Sequence, residues 1–194
     1  GSTGDSTEVL RALLEMGFHR TALVNIVDAE AAARAIQAGV GGTVTLQVGG
    51  KLAPGFYTPV TITGTVRTIS DGRFVHRAEG YRGVEFRRGR TVVLQSGSIF
   101  LVVTEQPVLQ WDPEFYDSLG LNPRDAQLVA VKSPTGFRAA YAPFAAEIVV
   151  PNLPGIASPE LRHLPWERIG RPIHPLDPLE SWRTPPIGGV HVRA

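Results

Sequence analysis

Residues 127–156 have the sequence QLVAVKSPTGFRAAYAPFAAEIVVPNLPGI, which combines a strand, a turn, a short helix and a second strand. The apolar run at residues 128–131 is typical of a buried strand in a covered sheet. Pro, Thr and Gly at residues 134–136 predict a turn, and residues 137–141 favour a short helix. The apolar residues 148–150 predict the second strand. The sequence therefore predicts an α/β unit that closes the domain, over residues 107–156.

Two cations flank the predicted junction between this first strand and the helix. Lys132 follows the strand, and Arg138 lies in the first turn of the helix. Free backbone N–H groups point outward at such a junction, which is where α/β proteins often bind ligands. A charge-assisted contact with a carboxylate would contribute about 1.5–3 kcal/mol. We predict a site for an anionic group here; the alternative is that both cations are ordinary surface charges.

Residues 1–41 predict an α/β opening that consists of a helix, a strand and a second helix. The first helix can be capped by Asp5 or Ser6, and the second by Asp28. The predicted strand and second helix occupy residues 21–27 and 29–38. The preceding loop at residues 1–7 has the glycines and the helix start of an anion-binding cradle, centred on Gly4 and Asp5. It lacks the Lys-Ser/Thr ending of a nucleotide-binding loop, and helix capping alone is the alternative.

The pattern changes to a period of two residues between residues 42 and 106. Val44, Leu46 and Val48 alternate there with threonine and glutamine, which indicates a half-buried strand. Five or six short strands with glycine-rich turns follow one another, and Gly97 marks one of these turns. The section therefore predicts a twisted antiparallel sheet or a small barrel. The fold class predicted for the whole chain is mixed α/β (α+β), with this strand-rich section at its centre.

The last part of the chain is rich in proline. Residues 157–178 predict an extended arm, and residues 179–194 a tail. The predicted organisation is one domain over residues 1–178 followed by that tail.

Composition limits the classes of function. The chain has 194 residues, of which 43% are hydrophobic and 19% charged, as in an ordinary globular protein. Its formal net charge of +1 gives no reason to expect nucleic acid or an anionic membrane as a partner. No apolar run is long enough to span a bilayer. Because cysteine is absent, disulfides, thiolate nucleophiles and thiolate metal sites are excluded, which fits a cytoplasmic protein.

The sequence contains no obvious catalytic group. The five histidines lie far apart, without a pair at helical spacing, so no complete metal site is predicted in this chain. They are His19, His76, His163, His174 and His191. Ser96 and Ser98 flank Gly97 in a predicted hairpin turn, which is not the elbow of a serine nucleophile. Ser133, at a strand end, is expected to donate hydrogen bonds within a turn or to contact a ligand.

Residues 132–141, KSPTGFRAAY, resemble the Lys-Ser-x-x-x-Phe-Arg-x-x-(Phe/Tyr) signature in the C-terminal region of the MlrC-like (microcystinase C) metallopeptidase family. Three further stretches resemble this family in the same order along the chain. They are residues 1–7 (GSTGDST), residues 39–51 (GVGG to VGGK) and residues 171–177 (RPIHPLD). The resemblance covers roughly residues 1–178, which leaves only the tail unmatched.

The resemblance implies a zinc-dependent hydrolase that cleaves amide bonds in peptides with a metal-activated water. It places the zinc ligands and the general base in an N-terminal part, upstream of the glycine-rich stretch within which this chain begins. We therefore expect a C-terminal fragment whose partners are that N-terminal part and a peptide substrate. A homo-oligomer is a further alternative. The residues expected to contact substrate are Gly4, Asp5, Lys132, Ser133 and Arg138. The alternative is a non-catalytic binding or assembly module with the same fold.

Overall fold

The computed structural model describes residues 3–133, 136–153, 155, 161–163, 166–171 and 173–178. The chain divides into two compact units, Gly1–Ala157 and Ser158–Ala194. The predicted turn residues Pro134 and Thr135, much of the proline-rich arm and the whole tail lie outside the described residues. In the second unit, the described residues include a short 3-10 helix at Leu161–His163 and a pair formed by Arg171 and Asp177, with Arg171 Nε 2.7 Å from Asp177 Oδ2.

The first unit contains four α-helices and eight β-strands among its described residues. In chain order they are α1 (Glu8–Glu15), β1 (Ala22–Val27), α2 (Ala29–Ala38), β2 (Thr43–Val48), β3 (Val60–Ser70), β4 (Arg73–Val75), β5 (Glu85–Arg87), β6 (Thr91–Ser96), β7 (Ile99–Thr104), α3 (Glu114–Asp117), β8 (Leu128–Val129) and α4 (Arg138–Tyr141). A 3-10 helix at Pro123–Asp125 precedes β8. None of the described helices is long and apolar enough to cross a membrane.

Six strands form one sheet in the order β2-β3-β6-β7-β1-β8, and β4 and β5 form a separate hairpin. Strands β2, β3, β6 and β7 are antiparallel, whereas β1 is parallel to both of its neighbours, β7 and β8. The predicted mixed α+β class with a central, mostly antiparallel sheet is confirmed. The barrel alternative is wrong, because β2 and β8 stay at opposite edges of the sheet and do not pair with each other in the described part of the chain.

Apolar side chains cover both faces of the sheet. On one face, Leu10 and Leu13 of α1 pack with the alanines of α2 against alternate residues of the strands, Val24 and Ile26 among them. On the other face, Phe115 and Tyr116 of α3 pack with Phe74 on Leu23, Val93 and Val102. All six residues of β1 are buried as a result. Continuous burial of this kind is expected of a parallel strand that is covered on both sides.

The two predicted helix caps have different outcomes. Asp28 caps α2 as predicted, because its Oδ1 accepts a hydrogen bond from the backbone N–H of Ala31 at 3.0 Å. The prediction for α1 is wrong, because the helix begins at Glu8 and its N-cap is Thr7, which makes no side-chain capping bond. The carboxylate of Asp5 instead accepts a hydrogen bond from the N–H of Leu52, 47 residues away. A long-range contact has replaced the local capping bond.

The closing unit is reduced compared with the prediction. Strand β8 pairs with β1 only through Leu128 and Val129, and α4 has a single turn. The predicted second strand is wrong, because residues 148–150 form no strand. Val149 and Val150 are 70% and 59% exposed. A strand needs a neighbouring strand for its backbone hydrogen bonds, and none of the described strands pairs with this segment.

Candidate functional site

The candidate site lies at the carboxyl end of the parallel strands β7, β1 and β8. Four separate segments meet there: residues 3–7, 49–52, 107–110 and 130–133. The carboxyl edge of parallel strands is where ligands bind in many α/β proteins. We call Gly4, Asp5, Ser6, Lys132 and Ser133 the carboxyl-edge site.

Lys132 connects the end of β8 to the N-terminal segment. Its Nζ donates hydrogen bonds to the carbonyl oxygens of Gly4 at 2.7 Å and Ser6 at 2.9 Å. Its backbone N–H donates to Oε1 of Gln110 at 2.8 Å. Burial lowers the pKa of Lys132 to about 7, although the negative charge of Asp5 acts in the opposite direction. This amine therefore exchanges its proton near neutral pH.

Asp5 is fully buried and holds the adjacent loop in place. Its Oδ2 accepts a hydrogen bond from the N–H of Leu52 at 2.7 Å, and its Oδ1 accepts one from the hydroxyl of Thr3. Its carbonyl oxygen accepts a third bond, from the N–H of Gly50 at 2.9 Å. The carboxylate thus joins residues 3–7 to the loop that follows β2.

Two glycines permit the close approach of these segments. Gly4 has φ of 76°, and a Cβ atom there would lie 2.5 Å from Cγ2 of Val27. Gly49 has φ of 67°, and a Cβ atom there would lie 2.7 Å from the carbonyl oxygen of Asp5. Both positions therefore exclude a side chain by conformation and by space. These are glycines of two stretches that carry the family resemblance.

A buried polar network, which the sequence analysis missed, positions the end of β8. Nδ2 of Asn25 donates to Oε1 of Gln110 at 2.9 Å and to the carbonyl oxygen of Ala130 at 2.9 Å. Nε2 of Gln110 donates back to Oδ1 of Asn25 at 2.8 Å, and the hydroxyl of Tyr116 donates to the carbonyl oxygen of Ala130 at 2.6 Å. The signal in the sequence was Asn25, a polar residue in the otherwise apolar strand ALVNIV. Its partner Gln110 carried no local signal.

A second cation supports the loop on the other side of Gly49. Nζ of Lys51 lies 3.0 Å from Oδ2 of Asp28 and 2.8 Å from Oε2 of Glu30. Oδ2 of Asp28 also accepts a hydrogen bond from the N–H of Gly49 at 2.9 Å. Burial alone would lower the pKa of Lys51, but its hydrogen bonds to Glu30 and Asp28 raise it above the ordinary value. The two lysines of this chain therefore have opposite pKa shifts.

The remaining two predicted residues differ in their placement. The hydroxyl of Ser133, next to Lys132, is buried and makes no hydrogen bond with any described residue. Arg138 is exposed on α4, with its guanidinium carbon 5.6 Å from the ring centroid of Phe137. No hydrogen bond or ion pair among the described residues joins Arg138 to the carboxyl-edge site. Gly4, Asp5, Lys132 and Ser133 thus come together, whereas no described hydrogen bond or ion pair brings Arg138 to them.

No group of three or more His, Cys, Asp or Glu side chains among the described residues could hold a metal ion. His76, for example, is buried against a single carboxylate, with Nδ1 3.3 Å from Oδ2 of Asp112. That carboxylate already accepts hydrogen bonds from the N–H groups of Arg77, Ala78 and Glu114. The described residues therefore form no zinc site of their own, and we derive no catalytic step through a metal from them.

Comparison with known proteins identifies the same family as the four stretches of the sequence analysis. Residues 1–168 match the family model described as the MlrC C-terminus. The chain belongs to the MlrC C-terminus family. The resemblance predicted from the sequence is thereby confirmed.

Two relatives of this MlrC C-terminal domain are longer proteins. Microcystinase C of Sphingomonas sp. is 24% identical over 182 residues, which are 92% of this chain and 34% of that protein. The crystal structure of a Mesorhizobium sp. BNC1 protein, provisionally named a metallopeptidase, is 28% identical with a TM-score of 0.81. It is matched over 93% of this chain and 36% of that protein. The chain thus spans about a third of the length of these relatives.

Proposed function

We propose that this chain is the C-terminal part of a zinc-dependent hydrolase that cleaves amide bonds in peptides. In this proposal the carboxyl-edge site forms one side of the substrate-binding site. One observation carries it: residues 1–7, 39–51 and 132–141, which are far apart in the sequence and carry the family resemblance, contribute Gly4, Gly49 and Lys132 to a single edge of the sheet. A shared edge is expected of residues that serve one ligand.

The proposal divides the chemistry between two parts of a longer protein. The metal and the general base would belong to another part of the longer protein, and a bound metal would supply an activated water for attack on the amide carbonyl. The residues of this chain bind and orient the substrate. The names of microcystinase C and of the Mesorhizobium protein support a peptidase of this kind. We also infer a cytoplasmic location, which the absence of cysteine supports.

The contacts of Lys132 suggest how it would act on a peptide. In the ammonium form of Lys132, two of the three N–H groups are directed to the carbonyl oxygens of Gly4 and Ser6, which leaves the third for a substrate carboxylate. The neighbouring hydroxyl of Ser133 is a further donor without a partner among the described residues. Arg138, exposed on α4, would contact a part of the substrate that lies outside this edge.

A chimera tests the proposal. This chain would replace the matching third of microcystinase C, and hydrolysis of short peptides would be measured after chelation and after zinc is restored. We expect hydrolysis that is lost with the chelator and returns with zinc. Failure of a folded, zinc-loaded chimera to cleave any peptide would reject the hydrolase function and favour the non-catalytic binding or assembly module.

Substitution of Lys132 tests the substrate contact within the same chimera. Lys132→Met is expected to raise KM by about 10-fold or more, because a charge-assisted hydrogen bond contributes roughly 1.5–3 kcal/mol. Arg67→Met is the matched control, because Arg67 is exposed on β3 and also loses a positive charge. Equal KM values for the two variants would show that Lys132 does not bind substrate.

A further inference from the structure

We propose that Leu52, Phe56 and Leu109 form a docking surface for the metal-binding part of the longer hydrolase. We call these three residues the apolar rim. The inference rests on the proposed function, because it takes that part of the protein as its occupant. It adds the location of the contact and the side chains that make it.

The apolar rim is exposed in this chain although its side chains are large and apolar. Leu52, Phe56 and Leu109 are 54%, 50% and 37% exposed. Removing a large apolar side chain from water contributes about 1.5–3 kcal/mol when burial is complete. Partial burial of all three would therefore stabilise an interface measurably. Single exposed apolar residues are normal at protein surfaces, so the argument depends on where these three lie.

All three lie on loops that contact the carboxyl-edge site. The N–H of Leu52 donates to Asp5, and Phe56 belongs to the same loop, where its N–H donates to Ala53. Leu109 directly precedes Gln110. The side chain of Gln110 accepts a hydrogen bond from the backbone N–H of Lys132. The loop that contains Leu109 also reaches the N-terminal segment, since a Cβ atom at Gly4 would lie 4.0 Å from Cβ of Pro107. The apolar rim therefore borders the proposed substrate-binding site.

The composition of the two loops is that of an interface. Residues 52–56 are Leu-Ala-Pro-Gly-Phe, and residues 106–111 are Gln-Pro-Val-Leu-Gln-Trp. Neither of these two stretches contains a charged residue, although 19% of the chain is charged; Lys51 and Glu105 directly precede them, and Asp112 follows the second. Depletion of charge with enrichment of aromatic residues is typical of the centre of a protein interface.

The course of the chain identifies the occupant. The N-terminal segment is fixed at this edge, because the carbonyl oxygen of Gly4 accepts hydrogen bonds from Val27 N–H at 3.0 Å and from Lys132. The family model describes a C-terminus, and about two thirds of each relative's length lies outside the match. In a longer protein, the polypeptide before Thr3 would therefore arrive beside the apolar rim.

Single cysteines test this surface, because the chain has no cysteine of its own. Leu52→Cys, Phe56→Cys and Leu109→Cys would be labelled with a maleimide in the isolated chain and in the chimera with microcystinase C. The controls are Met16→Cys and Val40→Cys. The native side chains at these two positions are 68% and 66% exposed. These controls follow the distal ends of α1 and α2, whose first turns lie near the carboxyl edge.

We expect the three rim thiols to react at least about 10-fold more slowly in the chimera than in the isolated chain, which corresponds to about 1.4 kcal/mol of docking free energy. The control thiols should react equally in both proteins. Equal labelling of the rim thiols in the chimera and the isolated chain would overturn the proposal. Protection in the isolated chain, with a dimer in light scattering, would also overturn it, because a second copy would then cover the rim.

Labelling does not require turnover, so the two proposals fail separately. A chimera that protects the rim but cleaves no peptide would keep the docking surface and reject the hydrolase function. A chimera that cleaves peptides with its rim fully labelled would reject the docking surface alone.

Discussion

Nζ of Lys132 lies 2.7 Å from the carbonyl oxygen of Gly4, a residue 128 positions earlier in the chain. This bond joins the N-terminal segment to the residues that follow β8, at the carboxyl edge of the sheet. No carboxylate among the described residues accepts a hydrogen bond from this lysine, whose Nζ donates to two carbonyl oxygens, with Asp5 nearby. The position therefore combines a structural contact with an amine that exchanges its proton near pH 7.

The pKa of Lys132 can be measured directly, because Lys51 is the only other lysine in the chain. We expect two lysine Cε signals in a ¹³C NMR titration of the selectively labelled protein. One should titrate at about pH 7, because burial disfavours the ammonium form of Lys132. The signal of Lys51 should titrate above its ordinary value. Lys132→Met identifies the first signal, and titration of both lysines above pH 10 would contradict the prediction.

The same shift makes stability depend on pH. Between pH 7 and the ordinary lysine value, the unfolded chain binds a proton that folded Lys132 does not, so stability rises with pH. Relative to Lys132→Met, the native protein should gain on the order of 3 kcal/mol of unfolding free energy between pH 7 and 9.5. Urea denaturation at a series of pH values measures this difference. Lys51→Met should show no such gain, since the raised pKa of Lys51 affects stability only at higher pH.

Gly49→Ala should destabilise the first unit more than Gly17→Ala. Both glycines have positive φ, 67° and 61°, so each substitution costs about 1–2 kcal/mol from backbone conformation. A Cβ at Gly17 meets nothing within 4 Å, whereas one at Gly49 would lie 2.6 Å from Cγ2 of Thr7 and 2.7 Å from the carbonyl oxygen of Asp5. Overpacking should add roughly 1–3 kcal/mol at Gly49. Equal denaturation midpoints for the two variants would show that this contact is not tight.

Gln110→Leu should destabilise the end of β8. The substitution leaves Oδ1 of Asn25 without the Nε2 donor of Gln110, and it leaves the N–H of Lys132 without its acceptor. Each unsatisfied buried group costs about 1–3 kcal/mol. The expected result is a lower free energy of unfolding and faster amide exchange at Lys132. Gln106→Leu, an exposed position on the same segment, is the control and should change neither quantity.

His76 should make the protein sensitive to acid. Burial lowers the pKa of His76 below its ordinary value, and the carboxylate of Asp112 only partly opposes this effect. Below pH 6.5 the unfolded chain therefore binds a proton that the folded chain excludes, and stability falls as the pH decreases. His76→Phe should reduce this loss between pH 7 and 5, and His19→Gln, at an exposed position, should not. The loss is measured by denaturation at each pH.

The sequence determined most of the regular structure because local patterns specify it. Helix α2 has its predicted bounds and its Asp28 cap, and strand β1 lies within the predicted residues 21–27. Period-two alternation identified the antiparallel strands, and Gly97 lies in the predicted turn between β6 and β7. These features depend on residues that are close in the chain, where capping, turn chemistry and side-chain periodicity act.

Contacts between distant residues decided the rest. The predicted strand at residues 148–150 has the right residues but no described strand pairs with it, so its propensity is not realised. The sequence analysis predicted Gly4, Asp5, Lys132 and Ser133 as site residues, but it suggested an open anion site rather than a half-buried lysine bound to carbonyl oxygens. Only the tertiary structure shows that arrangement and the role of Gln110. The physical reason is that burial and long-range hydrogen bonds set the charge and the partners of a side chain. Residues that are close in the sequence determine neither the burial nor these hydrogen bonds.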